Sequence, residues 1–246
     1  MVPKSEDYKS DYTKAVKSFW SIRDKQSKSQ QERGVRDQGT RGAVTGGKQM
    51  SGFIKLLRKI ATDQGVPTKY IYTQGSVLPG FFRPTKEWDF VIITPKNKLV
   101  CSIELKSQVG SFGNNFNNRT EEALGSAVDI WTGFREGAFP SQEAPWLGYL
   151  IVVEKSEKSS KPVRITEPIF KVFEEFRDTS YLDRYKILCQ KLIRERHYNS
   201  TAVIWTSKKN RKITFGSMDN EVSFESFINS YISAIQKNIP YFKKSK

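Results

Sequence analysis

The segment Glu87–Lys106, EWDFVIITPKNKLVCSIELK, restricts the fold of this chain more than any other stretch. In its second half Leu99, Cys101, Ile103 and Leu105 alternate with Val100, Ser102, Glu104 and Lys106, the period of two that marks a strand with one wholly apolar face. Glu104 and Lys106 therefore share the opposite face. Glu87–Thr94 reads as a second strand, and TPKNK between the two is turn chemistry, so the pair forms an antiparallel hairpin. With the turn centred on Lys96 and Asn97, Asp89 falls directly across from Glu104. Facing residues on one side of a hairpin have Cβ atoms ~4.5 to 5.5 Å apart, which puts two carboxylates together with an ammonium two residues along.

Two like charges so placed repel, and a hard divalent cation is the simplest remedy. Mg²⁺ takes oxygen ligands and keeps positions for water and phosphate oxygens. Asp89 and Glu104 are the candidate ligands, with the Leu105 backbone carbonyl beside them. Lys106 is placed to orient or help deprotonate an attacking water, or to offset charge developing on phosphorus. A Glu-x-Lys or Asp-x-Lys triplet alone is weak, since Asp7-Tyr8-Lys9 is another inside a helical stretch. The apolar strand beneath Glu104 and the facing Asp89 raise it above an ordinary surface ion pair.

The rest of the chain arranges helices around such strands. Tyr8, Tyr12, Val16, Phe19 and Trp20 recur at helical spacing, predicting an amphipathic helix over about 5–26. From Asp24 to Lys48 the chain is polar and glycine-rich and reads as a flexible basic segment, a linker or a DNA-wrapping arm. Within it GAVTGGKQ has part of a phosphate-binding loop, but Gln49 stands where Ser or Thr should follow the lysine and no apolar strand precedes it. Met50, Phe53, Ile54, Leu57, Ile60 and Ala61 mark a second helix ending near Gly65. Lys69–Thr73 reads as a strand and QGSVLPGFFRPTK as a turn. After the hairpin come an Asn-rich loop and a helix with Asn118 and Glu121 as a capping box and Ala123, Leu124, Ala127, Val128, Trp131 and Phe134 as its apolar face. Then follow the strand Trp146–Glu154, a charged loop, a helix over 181–196, the strand TAVIWT and a helix over 224–235. This order predicts one α/β domain: residues 1–47 are an N-terminal helix and basic segment, and 48–246 are a core whose mixed β-sheet is flanked by helices.

Composition narrows the chemistry. Two cysteines and one histidine, His197, leave no thiolate or imidazole metal cage and no triad with a nucleophile motif. Carboxylates, amines and amides remain, the inventory of magnesium-dependent phosphoryl chemistry. The net charge of +15 favours a polyanion, and nucleic acid first. No apolar run approaches the ~18 to 20 residues of a membrane span, so the expected location is the cytoplasm. Asn114, Asn115, Asn117, Asn118 and Arg119 carry groups that read base edges and hold phosphates, although turn and cap chemistry accounts for single members equally well. Lys155, Lys158, Lys161 and Arg164, with Lys208, Lys209, Arg211 and Lys212, make further basic loops.

RPTKEWDF, IELKSQVGSFGNNFNNRTEEALGSA and SYLDRYKILCQKLI resemble the XhoI and PaeR-type restriction endonucleases, a group within the PD-(D/E)XK nucleases. The similarity runs from about Gly46 to Trp205. It implies a PD-(D/E)XK restriction-endonuclease-like core and a type II enzyme acting on double-stranded DNA. It also implies a homodimer that uses Mg²⁺ to cut CTCGAG after the first C, with host DNA guarded by a cognate methyltransferase. Asp89 and Glu104 become the metal ligands and Lys106 the catalytic lysine. Arg83, Lys86, Asn114, Asn115, Asn117, Asn118 and Arg119 become the candidate DNA-binding side chains. The stretch Lys48–Asp63 departs from some relatives in having no carboxylate before Asp63. A repair or junction-resolving nuclease of the same core, or a non-catalytic DNA-binding protein, are the alternatives.

Overall fold

A computed structural model describes residues 3–32, 48–167 and 169–243. Its strands in chain order are β1 (Ile71–Tyr72), β2 (Val77–Pro79), β3 (Thr85–Glu87), β4 (Phe90–Ile93), β5 (Leu99–Gln108), β6 (Trp146–Glu154), β7 (Ser200–Lys209) and β8 (Lys212–Ser217). The principal helices are α1 (Lys9–Glu32), α2 (Ser51–Asp63), α3 (Phe112–Arg135), α4 (Tyr181–Arg194) and α5 (Phe224–Lys243). Six strands form one mixed sheet in the order β1-β4-β5-β6-β7-β8, and β2 and β3 pair as a separate ribbon. The contacts of β6 with β5 and β7 are parallel and the others antiparallel.

A parallel centre requires both faces to be covered, and β6 shows it by alternation. Trp146, Leu150 and Val152 pack with α1, α2 and α5, whereas Leu147, Tyr149, Ile151 and Val153 pack with α3 and α4. The N-terminal helix belongs to this core: Tyr12 stacks on Phe224 with ring centroids 3.8 Å apart, and the Trp20 indole donates to Thr206 Oγ1 at 2.9 Å. The face carrying Glu104 is therefore a second core layer and not the polar surface that alternation alone suggests.

The hairpin keeps the expected register at the end away from its turn by two compensating departures. Phe90 faces Ile103, Val91 faces Ser102 and Ile92 faces Cys101, but the turn runs from Thr94 to Lys98 with Asn97 left-handed (φ 58°), and Ile93 faces Leu99. The tighter turn is one residue out of step, and a bulge between Ile92 and Ile93 restores the pairing while sending Leu99 to the α3 side.

Several boundaries differ from expectation. Helix α1 runs on to Glu32, past the expected end at residue 26. Most of the glycine-rich segment, including the GAVTGG part of GAVTGGKQ, lies outside the described residues. Helix α3 begins at Phe112, so Asn114–Asn118 are helical and Asn118 is no cap. Two aromatics one turn apart explain this: Phe112 stacks on Tyr181 and Phe116 packs edge-on to Tyr185, anchoring the first turn to α4 against the poor helix propensity of asparagine. Leu124 and Val128, expected on the buried face, are partly exposed. The turn QGSVLPGFFRPTK contains the β2–β3 ribbon, and β8 follows β7 through Asn210 and Arg211, both left-handed without a glycine to announce it. Among the described residues no helix is long and apolar enough to cross a membrane.

Candidate active site

The sheet brings the chemistry-bearing residues to the end of β5. Glu104 and Lys106, two apart on one strand, lie on the same side, and Lys106 Nζ is 2.6 Å from Glu104 Oε1. Asp89 sits just before β4, where its Oδ2 accepts the Leu105 N–H at 2.7 Å. In an extended strand the N–H and C=O of one residue point to the same edge, so the Leu105 carbonyl also faces Asp89. The ribbon supplies a second cation: Lys86 on β3 reaches Glu104 Oε2 at 2.7 Å, donates to the Glu87 carbonyl at 3.1 Å and lies 4.4 Å above the Trp88 ring. Helix α3 closes the group, with Glu122 3.5 Å from Lys106 and held by Arg119 at 2.7 Å.

These contacts divide the charge unevenly. Burial pushes the Glu104 carboxyl up, but Lys106 and Lys86, one on each oxygen, outweigh it and hold the group below the usual carboxylate range. Burial opposes the Lys106 charge, and Glu104 more than restores it. Among the described residues no ammonium forms an ion pair with Asp89. Desolvation, reinforced by the neighbouring Glu104 charge, drives it up to about 6 despite the Leu105 N–H.

A carboxylate raised by burial beside a second, ionised carboxylate is one whose charged form a nearby cation would favour. The oxygen-only donor set of Asp89, Glu104 and the Leu105 carbonyl fits a hard divalent ion. Among the described residues no group of three or more acidic, histidine or cysteine side chains that could hold a metal ion is found. Just ahead of α2, Gln49 accepts from Ser107 Oγ at 3.4 Å, on the strand face opposite to Glu104 and Lys106.

Of the candidate DNA-binding residues, Lys86 belongs to the group itself and Arg119 joins it through Glu122. Asn114, Asn117 and Asn118 are exposed and Asn115 half-buried on the first turns of α3, with their amides outside the carboxylate cluster. Arg83 lies further out, its Nε on Asp129 Oδ2 at 2.6 Å. The sequence pointed to neither the link between Glu122 and Lys106 nor the role of Asp129. Glu122 reads as an ordinary first-turn acid, and Asp129 meets its partners across 46 to 48 residues without any local pattern.

A six-stranded mixed sheet between helical layers is the architecture of a restriction-endonuclease-like protein. The family profile described as "Restriction endonuclease XhoI" matches residues 29–217. Curated relatives include the type II restriction enzyme BstVI of Geobacillus stearothermophilus, 48% identical over 180 residues that cover 71% of this chain and 80% of that protein. XhoI of Xanthomonas vasicola is 46% identical over 182 residues, 72% of each chain. AbrI of Azospirillum brasilense is 44% identical over 168 residues, 67% of this chain and 75% of its own. No solved structure matches. The chain belongs to the XhoI family of restriction endonucleases. It is a type II restriction enzyme, a nuclease whose substrate is double-stranded DNA.

Proposed function

We propose that this chain hydrolyses both strands of the palindrome CTCGAG after the first C, as a homodimer, at a Mg²⁺ site formed by Asp89, Glu104 and the Leu105 carbonyl. The observation that carries the reading is the pair of neighbouring carboxylates, one capped by two ammoniums and the other, among the described residues, in no ion pair and raised by burial. Bound Mg²⁺ supplies Lewis-acid chemistry, drawing charge from the scissile phosphate and lowering the pKa of water. Asp89 and Glu104 would hold it through their oxygens. Lys106, held by Glu104 and Glu122, would orient the attacking water and offset the charge that grows on the phosphoryl oxygens. Water adds in line to phosphorus, its proton passes to solvent, and the 3′ oxygen leaves, giving a 5′-phosphate.

The target and the cut position come from the resemblance to XhoI and PaeR-type enzymes and from kinship with a relative named XhoI. Two-fold symmetry of the site supports the dimer, since two equivalent subunits provide one catalytic centre per strand. Lys86, Arg83, Arg119 and the asparagines of α3 remain the proposed DNA contacts, and a cognate methyltransferase would protect host DNA.

Sequencing the ends released from a defined plasmid tests target, cut position and activity together. TCGA 5′ overhangs at CTCGAG, seen with Mg²⁺ and absent with EDTA, are expected. Asp89→Ala and Lys106→Ala should bind duplex but fail to cut it, and unimpaired cutting by either would remove that residue from the mechanism.

A further inference from the structure

The β2–β3 ribbon that delivers Lys86 ends in a tip, Gly80–Pro84, built unlike an ordinary surface turn. Asp129 on α3 is 3% exposed and aims its carboxylate into the tip. Its Oδ1 accepts the N–H of Phe81 at 2.7 Å and of Phe82 at 2.9 Å, and its Oδ2 accepts Arg83 Nε at 2.6 Å. The approach is so close that a Cβ on Gly80 would lie 2.7 Å from both Asp129 Oδ2 and the Arg83 carbonyl. The Gly80 N–H closes the tip on the Pro84 carbonyl at 3.4 Å. All this fixing points two phenyl rings outward: Phe81 is 50% and Phe82 69% exposed, packed edge to face at 5.0 Å. Single exposed hydrophobics are normal, but a rigidly held aromatic pair is not.

We infer that Phe81 and Phe82 form a preorganised wedge that enters a groove of the DNA beside the scissile phosphate and packs on bases there. This rests on the proposed placing of that phosphate at Glu104 and Lys106. Phe82 is four residues from Lys86, so a strand-like ribbon sets the tip within about 13 Å of the catalytic group. The major groove is about 12 Å wide, so a tip about that far from a phosphate held at Glu104 lies within the span of one groove. Aromatic side chains stack on base faces, contact thymine methyl groups or part a base step, none of which needs charge. The Asp129 cradle removes the entropy cost of holding the rings and keeps Arg83 beside them for the backbone.

The test is binding to a short duplex carrying CTCGAG, in EDTA so that nothing is cut, over a series of salt concentrations. Phe81→Ala/Phe82→Ala should bind about tenfold to a hundredfold more weakly than the parent, as loss of base–aromatic contact does. Its salt dependence should be unchanged, because no phosphate contact is lost. Asp129→Asn, which keeps both rings but loosens their support, should show a smaller loss. A 2-aminopurine base near the cut position should report a change in stacking with the parent and not with the double variant. Parent-like affinity of the double variant would overturn the wedge. So would a loss of affinity that sedimentation traces to dissociation of a dimer, which would make the rings a protein interface. Neither result depends on cleavage, so the catalytic assignment of Asp89 and Lys106 stands or falls separately.

Discussion

Asp129 and Asp89 are both acids drawn out of water near the same ribbon, yet their surroundings are opposites. Asp129 accepts two backbone N–H groups and an arginine, and although burial pushes its carboxyl up, these donors hold it below the usual range. Asp89 has one N–H donor and a second carboxylate for a neighbour, and it is pushed up to about 6. An acid satisfied inside the fold reads as structural, whereas one left incomplete is the candidate for holding something that arrives from outside.

The largest effect expected from breaking that contrast is on chemistry. Glu104→Gln removes the charge that the proposed cation requires and should slow plasmid cleavage about a thousandfold or more, several kcal/mol of transition-state stabilisation, in single-turnover assays. Asp129→Ala should leave cutting chemistry possible but lower folding stability by about 3 kcal/mol in urea titration, since two N–H groups and Arg83 lose their acceptor.

Asp89→Asn should do the reverse. Asp89 has a folded pKa near 6, above its ordinary value of 3.8, so the folded state binds more protons between those limits. Metal-free stability therefore falls as pH rises from about 4 to about 6 and is level above that. Asp89→Asn should abolish this component and raise stability at pH 8 by about 2 kcal/mol, read from unfolding curves at a series of pH values. The smallest effect is at Lys86, an internal cation on the oxygen a metal would share. Lys86→Met should bind divalent ions about tenfold more tightly by calorimetry while cutting more slowly, and unchanged affinity would show that Lys86 does not compete.

Much of the site was legible because its information is local. Alternation along Leu99–Lys106 put Glu104 and Lys106 on one face, and the expected register holds from Phe90 with Ile103 to Ile92 with Cys101, while Asp89 lies just ahead of the paired strand and reaches the Leu105 N–H with its side chain. The sheet centre was legible through the apolar run Trp146–Glu154. What escaped depends on distant partners. Asparagines read as loop until Tyr181 and Tyr185 are seen to hold Phe112 and Phe116 in a helix. The Gly80–Arg83 turn reads as any turn until Asp129 meets it from α3. Strand β8 is hidden because its turn uses Asn210 and Arg211 in left-handed conformations with no glycine. Lys86 carries no local sign that it belongs with Glu104, since ribbon and sheet are separate.

The most direct measurement is a calorimetric titration of Mg²⁺ into the DNA-free parent and into Asp89→Asn at pH 8, where the Asp89 carboxyl of the parent is ionised. Saturable binding to the parent that is lost or weakened at least tenfold in the variant is the expected result. Equal binding to both proteins would contradict it, because the unpaired carboxylate would then have no part in holding the ion.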